Sequence, residues 1–315
     1  MTVAAVLLVY ALGAGTTGSR LLGRTAWTAR APLLGIIVYL AAAWSVVAAL
    51  GLAGLTLAVH ATALGGGLSH LIGACVLRLR ATYATPGGAT VAGLGLTLAG
   101  AVLARTAVTA ATHLRAVRRQ AVRQAQAARL VGHPDPDLGA TLVDHTQLAA
   151  YCVAGPHPTV ILTTAVLAAL DPDQVDAVLA HERAHLASHH HRLLAIARIG
   201  RQVLPFLPLM RAADTQITRL VEMHADDAAT AGRGTGPLAI ALVVLAGAAS
   251  PVPGLAAAAT DAVQRIQRLL RPAEPLSRVR RQLLGAGAAV LALTPVLLAL
   301  TPAILALALG RVPAA

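Results

Sequence analysis

Four long apolar runs dominate the pattern of hydrophobic and polar positions along the chain. They cover residues 2–18, 32–59, 89–111 and 283–309, and Arg105 is the one charged side chain within them. A helix rises about 1.5 Å per residue, so roughly 20 residues cross the hydrocarbon layer of a bilayer. The pattern therefore predicts four transmembrane helices, three before and one after a long central segment. Arg105, near the end of the third helix, is expected to extend its side chain to the lipid headgroups.

The central segment contains short stretches with β-type composition followed by helical patterns. Residues 141–143, 151–153 and 159–163 are β candidates, and the last is β-branched at most positions. Residues 132–137 are rich in Pro and Asp, which predicts a turn, and residues 165–170 predict a short helix. We therefore expect a small β-sheet within a mainly α fold.

Two further apolar stretches do not have the length or continuity of a span. Residues 196–210 are broken by Pro205 and Pro208, and residues 238–249 are too short to cross a bilayer. Each is compatible with a helix of the protein core or with a segment that enters the membrane.

The composition supports a membrane protein. Hydrophobic residues make up 57% of the chain and charged residues 12%, with a mean hydropathy of +0.70, whereas soluble domains average about 25% charged residues. The net charge of +12 would suit nucleic-acid binding, but Arg residues beside membrane helices account for it better. We expect contact with membrane lipid and no direct contact with nucleic acid.

Arginines cluster at the span ends that face the central segment. They are Arg115, Arg118, Arg119, Arg123 and Arg129 after the third span, and Arg278, Arg280 and Arg281 before the fourth. Such flanks stay on the cytoplasmic side. We predict a multi-pass protein of the cell membrane with a cytoplasmic central domain and both termini external. The predicted boundaries are 1–112 for three helices, 113–282 for the central domain and 283–315 for the last helix. Only a short external tail is expected after that helix, without an exported domain.

The sequence His-Glu-Arg-Ala-His at residues 181–185 is an H-E-x-x-H motif. Residues four apart lie on one face of a helix, so His181 and His185 present two imidazoles to one metal ion. Glu182 lies beside them as a carboxylate base, which is the arrangement of zinc peptidases. A chance match is the competing explanation, because the chain has 12 His residues.

The flanking residues predict a helix around this motif. Asp171 is an expected N-cap, Pro172 occupies the first helical position and Gln174 the third. An apolar stripe then leads to the two histidines.

A zinc site with two His ligands needs a third protein ligand. Glu222 and Asp226 are four residues apart and therefore share a helical face. We predict that Glu222 binds the metal and that Asp226 accepts a hydrogen bond from an imidazole. The competing acidic candidates are Asp214, Asp227, Asp261 and Glu274.

Other residues with ligand chemistry are weaker candidates. His224 lies on a different face from Glu222. The run 189–191 of three histidines predicts an exposed continuation of the helix or interface residues, with a second metal site as the alternative. Cys75 and Cys152 imply no disulfide framework and are expected to be small buried residues. No feature of the sequence indicates an oligomeric state.

The motif, the Asp-Pro-Asp-Gln segment before it and the later Glu222 with Ala225-Asp226 resemble the gluzincin membrane zinc metallopeptidases. These include the HtpX and CAAX prenyl protease group and the antibiotic-responsive BlaR/MecR family. Three spans, a cytoplasmic zinc domain and one final span are similar to the BlaR/MecR layout.

The resemblance implies a zinc ion on His181, His185 and Glu222, with Glu182 as general base and Asp226 supporting a ligand. It also implies that the strand from Tyr151 through Val153 to Thr163 lies along the cleft and pairs with substrate backbone. Arg265 lies in a segment similar to an Arg-containing helix of these families, which makes it a candidate for substrate binding.

We therefore predict a membrane zinc metalloendopeptidase that cleaves a cytoplasmic or membrane-proximal protein. The alternative is a BlaR/MecR-like signal transducer whose proteolysis inactivates a transcriptional repressor. A transporter with a structural metal is the third hypothesis, but the predicted spans contain almost no charges.

Overall fold

The protein is described from a computed structural model that covers residues 2–58, 88–155, 157–247, 256–271 and 274–308. The helices are α1 (Thr2–Gly23), α2 (Pro32–Ala58), α3 (Gly88–Val131), α4 (Thr164–Ala169), α5 (Pro172–Ala187), α6 (His190–Val203), α7 (Pro208–Thr230), α8 (Gly236–Gly247), α9 (Ala256–Leu270) and α10 (Arg278–Ala308). The strands are β1 (Gly132–Asp135), β2 (Ala140–Val143), β3 (Ala150–Val153) and β4 (Thr159–Thr163). A short 3-10 helix, Ala26–Arg30, joins α1 to α2.

The four predicted spans are present as long apolar helices. Helices α1, α2, α3 and α10 are each long and apolar enough to cross a membrane. Together with the small sheet, they confirm a mainly α, multi-pass membrane fold.

Helix α2 is the centre of the membrane bundle, since it packs against α1, α3 and α10. Its crossing with α3 brings the two backbones into contact. A Cβ atom added at Gly95 would stand 2.6 Å from the Gly54 carbonyl oxygen, and one at Gly54 would stand 2.6 Å from that of Gly95. Glycine is required at both positions because any side chain would separate the helices.

Helix α3 continues far beyond the membrane. It runs for 44 residues without a break, so the apolar span and the Arg-rich segment after it form one helix. Strand β1 begins at Gly132, directly after Val131. The membrane span is therefore joined to the sheet by helix rather than by a flexible linker.

The sheet has the order β1-β2-β4-β3. Strands β2 and β4 are parallel, and the other two pairs are antiparallel. The three expected strands are all found, but the turn predicted at residues 132–137 was wrong in its first part, because Gly132–Asp135 pairs with β2. Strand β3 has one neighbour among the described strands, β4, and is therefore an edge strand of the sheet as described.

The helices after the metal motif share a core with the membrane bundle. One apolar cluster contains Ile36 and Val46 of α2 together with Val203 of α6 and Ile217 of α7. The apolar stretch 196–210 forms the end of α6, a tight turn and the start of α7. The stretch 238–249 is described only to Gly247, as helix α8, and its last two residues lie outside the described ranges.

Arg105 was predicted to extend to the headgroups, and this interpretation was wrong. Its guanidinium donates hydrogen bonds to the Val203 carbonyl at 2.6 Å and the Gln202 carbonyl at 2.9 Å. The last carbonyls of a helix have no partner within that helix. Arg105 of α3 therefore caps the C-terminal end of α6.

Candidate metal centre

Helix α5 starts where the sequence predicted. Asp171 and Gln174 form a reciprocal capping box, and Pro172 occupies the first turn. Val175, Val178 and Leu179 are buried against the sheet. This packing fixes the rotation of the helix and points residues 181 and 185 at α7.

The two histidines of the motif face each other. His181 Nε2 and His185 Nε2 are 3.1 Å apart, and the His181 residue is buried. Two zinc–nitrogen bonds of about 2.0–2.1 Å at a tetrahedral angle separate the ligand nitrogens by about 3.3 Å. The spacing of these nitrogens therefore fits one tetrahedral metal ion.

Glu222 of α7 completes the group. Its Oε2 lies 3.5 Å from His181 Nε2, and its Oε1 lies 3.7 Å from His185 Nε2. One ligand atom from each of the three residues falls within 4.8 Å of the others. Two neutral imidazoles and one carboxylate are a donor set that zinc accepts, with a fourth position left open.

Asp226 lies on the outer side of His181. Its Oδ1 is 3.1 Å from His181 Nδ1, which is a charge contact rather than an aligned hydrogen bond. Arg265 of α9 donates to both oxygens of Asp226, at 2.7 and 2.8 Å, and its Nη1 lies 2.9 Å from Glu222 Oε2. One guanidinium therefore holds the carboxylates of both Glu222 and Asp226 in place.

His190 has a position that the sequence did not reveal. The expectation that the run 189–191 is exposed was wrong for this residue, which is 1% exposed. His190 Nδ1 lies 3.0 Å from His185 Nδ1, and its Nε2 lies 2.9 Å from His224 Nδ1. His189, with φ of 50°, makes the left-handed turn that brings His190 under His185.

These contacts define one set of ring tautomers. If His185 keeps the Nε2 lone pair for a metal, its Nδ1–H donates to His190, and His190 Nε2–H donates to His224. A row of three imidazoles thus leads outward from the candidate metal site.

Glu182 is partly buried against strand β3. Burial raises the pKa of its carboxyl group, and the nearby Glu222 carboxylate adds to that effect. Cys152 adjoins Glu182, and burial followed by this carboxylate raises the pKa of the Cys152 thiol to about 12. The thiol is therefore neutral, and the contact of Cys152 with Glu182 was not predicted.

The metal-free site has unequal proton affinities. Burial lowers the pKa of His181, but its contacts with Asp226 and Glu222 outweigh that effect and raise it to about 9. Burial lowers the pKa of His185 to about 4. Burial opposes ionisation of Glu222, yet His181 and Arg265 hold its pKa at about 2. A carboxylate is thus present at neutral pH.

The other acidic candidates point elsewhere. Asp214 pairs with Arg201 at 2.8 Å, and Asp227 pairs with Arg268 at 2.6 Å. Asp261 is exposed on α9. The structure brings none of them into the group of ligand atoms that it describes.

The predicted substrate-binding residues differ in position. Tyr151 on the edge strand β3 is 40% exposed, whereas the Val153 side chain is buried. Arg265 is occupied by Asp226 and Glu222. The contacts of Arg265 could not be predicted from sequence spacing, because Arg265 and Asp226 are 39 positions apart in the chain.

The membrane helices, the H-E-x-x-H helix and a Glu from a second helix are together similar to the arrangement of membrane metallopeptidases of the gluzincin type. Residues 113–255 match the model of peptidase family M48, a family of metallopeptidases. Its members are typically zinc-dependent. No curated protein and no solved structure matches the chain.

Proposed function

We propose that this protein is an integral-membrane zinc metalloendopeptidase that hydrolyses a peptide bond in a cytoplasmic or membrane-proximal protein. The observation that carries the proposal is the convergence of His181, His185 and Glu222 within 4.8 Å. Glu182, the proposed carboxylate base, adjoins this group and lies on the same helix as His181 and His185.

In this proposal, His181, His185 and Glu222 hold the zinc ion. When bound, zinc supplies a Lewis acid that polarises a carbonyl group and acidifies water. Glu182 accepts a proton from the attacking water and returns it to the leaving amine. The raised pKa of Glu182 suits this role, because a stronger base takes the proton more readily. Asp226 and Arg265 keep His181 and Glu222 in position.

The substrate is proposed to bind as an added strand along β3. Among the described strands, β3 lies at the edge of the sheet. It carries the exposed Tyr151, and its next residue, Cys152, adjoins Glu182. An extended peptide on such an edge gains main-chain hydrogen bonds without any demand on its side chains. We infer that the substrate is a protein or peptide, and that the site selects it mainly by its extended backbone conformation.

We propose that the peptidase domain, residues 113–282, lies in the cytoplasm, with residues 1–112 and 283–315 in or beyond the membrane. The Arg residues near both ends of the central segment support this orientation. Reporter domains fused after Arg129 and after Ser277 should be cytoplasmic, and one at Ala315 should be external. A cytoplasmic reporter at Ala315 would overturn the orientation.

The deciding experiment compares the wild-type protein with the Glu182→Gln variant in lipid nanodiscs. Both should bind about one zinc ion, but only the wild type should cleave an unstructured protein substrate. The amide keeps the shape of the side chain and removes its basicity. Equal cleavage by both proteins would refute the assignment of Glu182, and cleavage without bound metal would refute a metallopeptidase.

The alternative is a signal transducer similar to BlaR/MecR, in which proteolysis inactivates a repressor. The order of three candidate spans, a peptidase domain and a fourth span favours it. Mapping new protein termini in cells that express the wild type or Glu182→Gln, with and without a β-lactam, separates the two roles. Termini in several proteins that do not depend on the drug support the peptidase, and drug-dependent cleavage supports the transducer.

A further inference from the structure

The turn between α6 and α7 exposes apolar residues at the side of the membrane bundle. Pro205 and Phe206 form the outer surface of the turn, and Phe206 is 67% exposed. Leu204 and Leu207, on either side of them, are buried. An exposed aromatic residue between two prolines, Pro205 and Pro208, is a costly arrangement in water.

The turn lies beside the membrane helices, not beyond them. A Cβ atom at Gly15 of α1 would stand 3.0 Å from the Leu207 side chain, and one at Gly18 would stand 3.5 Å from Leu209. At about 1.5 Å per residue, Gly15 lies about 12 Å before the end of α1 and Gly18 about 7 Å before it. The turn is therefore level with the apolar part of α1.

The backbone carbonyl groups that precede the turn have hydrogen-bond partners within the protein, as an apolar environment requires. The carbonyls of Gln202 and Val203 have no partner within α6, and both accept hydrogen bonds from Arg105. Irregular backbone at membrane depth is tolerated only where its polar groups are satisfied. Capping by an Arg that belongs to a membrane helix meets that requirement.

The surroundings match a lipid interface. Leu12 and Leu103, close in sequence to Gly15 and Arg105, are 58% and 62% exposed. Exposed Arg211 lies one to two helical turns from the tip, and Arg198 and Arg201, which pair with Asp214, keep more than half of each side chain exposed. Long basic side chains of this kind place their charges among lipid phosphates while apolar neighbours enter the acyl region.

From these observations we propose that the turn from Leu204 to Leu209 is inserted into the lipid bilayer as a shallow anchor. Its occupant is lipid, because the exposed surface of the turn continues that of α1 and α3. The anchor enters and leaves on the same side, so it does not change the number of spans. The proposal is independent of peptidase activity.

Spin labels on the full-length protein in anionic nanodiscs test the proposal. Cys75 and Cys152 are first replaced by Ala, and a single Cys is introduced by Phe206→Cys. Leu293→Cys on α10 is the lipid-facing control, and Asp173→Cys on α5 is the water-exposed control. Collision rates with oxygen, which partitions into lipid, are compared with those of a water-soluble nickel complex.

We expect the oxygen-to-nickel ratio at residue 206 to lie closer to that at residue 293 than to that at residue 173. A ratio closer to that of residue 173 overturns the proposal. A label shielded from both reagents also overturns it, since a protein partner would then cover the turn. Pro205→Cys provides a second position if the label at residue 206 disturbs folding.

Discussion

Replacing His190 should weaken metal binding although His190 is not among the proposed ligands. Its imidazole lies between His185 and His224, at 3.0 and 2.9 Å, and is almost completely buried. In His190→Leu, the Nδ1–H of His185 loses its acceptor, so the ring can rotate and its Nε2 is no longer fixed toward the site. Loss of such a supporting contact typically costs 10- to 100-fold in metal affinity.

We therefore expect His190→Leu to raise the zinc dissociation constant by about 10- to 100-fold, or about 1.4–2.7 kcal/mol. His190→Asn should recover part of this loss, because its amide oxygen can accept the same hydrogen bond. The measurement is competition for zinc with a chelating dye. The visible spectrum of the cobalt-substituted protein adds a readout of ligand geometry.

The control is His191→Leu, which changes the next residue, whose ring lies against His189 rather than His185. This variant should bind zinc like the wild type. Unchanged affinity in His190→Leu would refute the positioning role. Equal losses in His190→Leu and His190→Asn, with a normal melting temperature, would show that the hydrogen bond is not the cause.

Three further predictions concern ligands and packing. Glu222→Ala should lose most zinc binding while Asp227→Ala retains it, as measured by bound-metal analysis; the reverse would identify another ligand. Asp226→Asn removes the bidentate carboxylate from the buried Arg265, which keeps its contact with Glu222, so we expect a loss of about 1–3 kcal/mol in unfolding free energy, and an unchanged denaturation midpoint would contradict this. Gly95→Val places its side chain against the Gly54 carbonyl and should lower the melting temperature in nanodiscs, whereas Gly93→Val, which meets open space, should not.

Features that depend on local pattern could be predicted from the sequence. The spans follow from run length, the start of α5 follows from Asp171 and Pro172, and the shared face of Glu222 and Asp226 follows from helical periodicity. Strand β1 was missed because its Pro and Asp residues have turn propensity, and its pairing with β2 outweighs that preference.

Features that depend on distant contacts could not be predicted. The cap that Arg105 provides joins residues about 100 positions apart. The burial of His190 depends on the left-handed turn at His189, which changes the helical phase after Ser188. Helical periodicity continued through that turn therefore does not place His190 in the protein interior.

Helix α3 has the mechanical form of a lever. Its fulcrum lies at Arg105, which is hydrogen-bonded to α6 about 15 Å beyond the close crossing at Gly54 and Gly95. From Arg105 to Val131, at about 1.5 Å per residue, the outer arm is about 39 Å long. Each degree of rotation at the fulcrum moves the far end by about 0.7 Å, because an unbroken helix has no joint to absorb the motion. The tilt of the membrane-spanning part of α3 therefore determines the position at which β1 and the sheet begin.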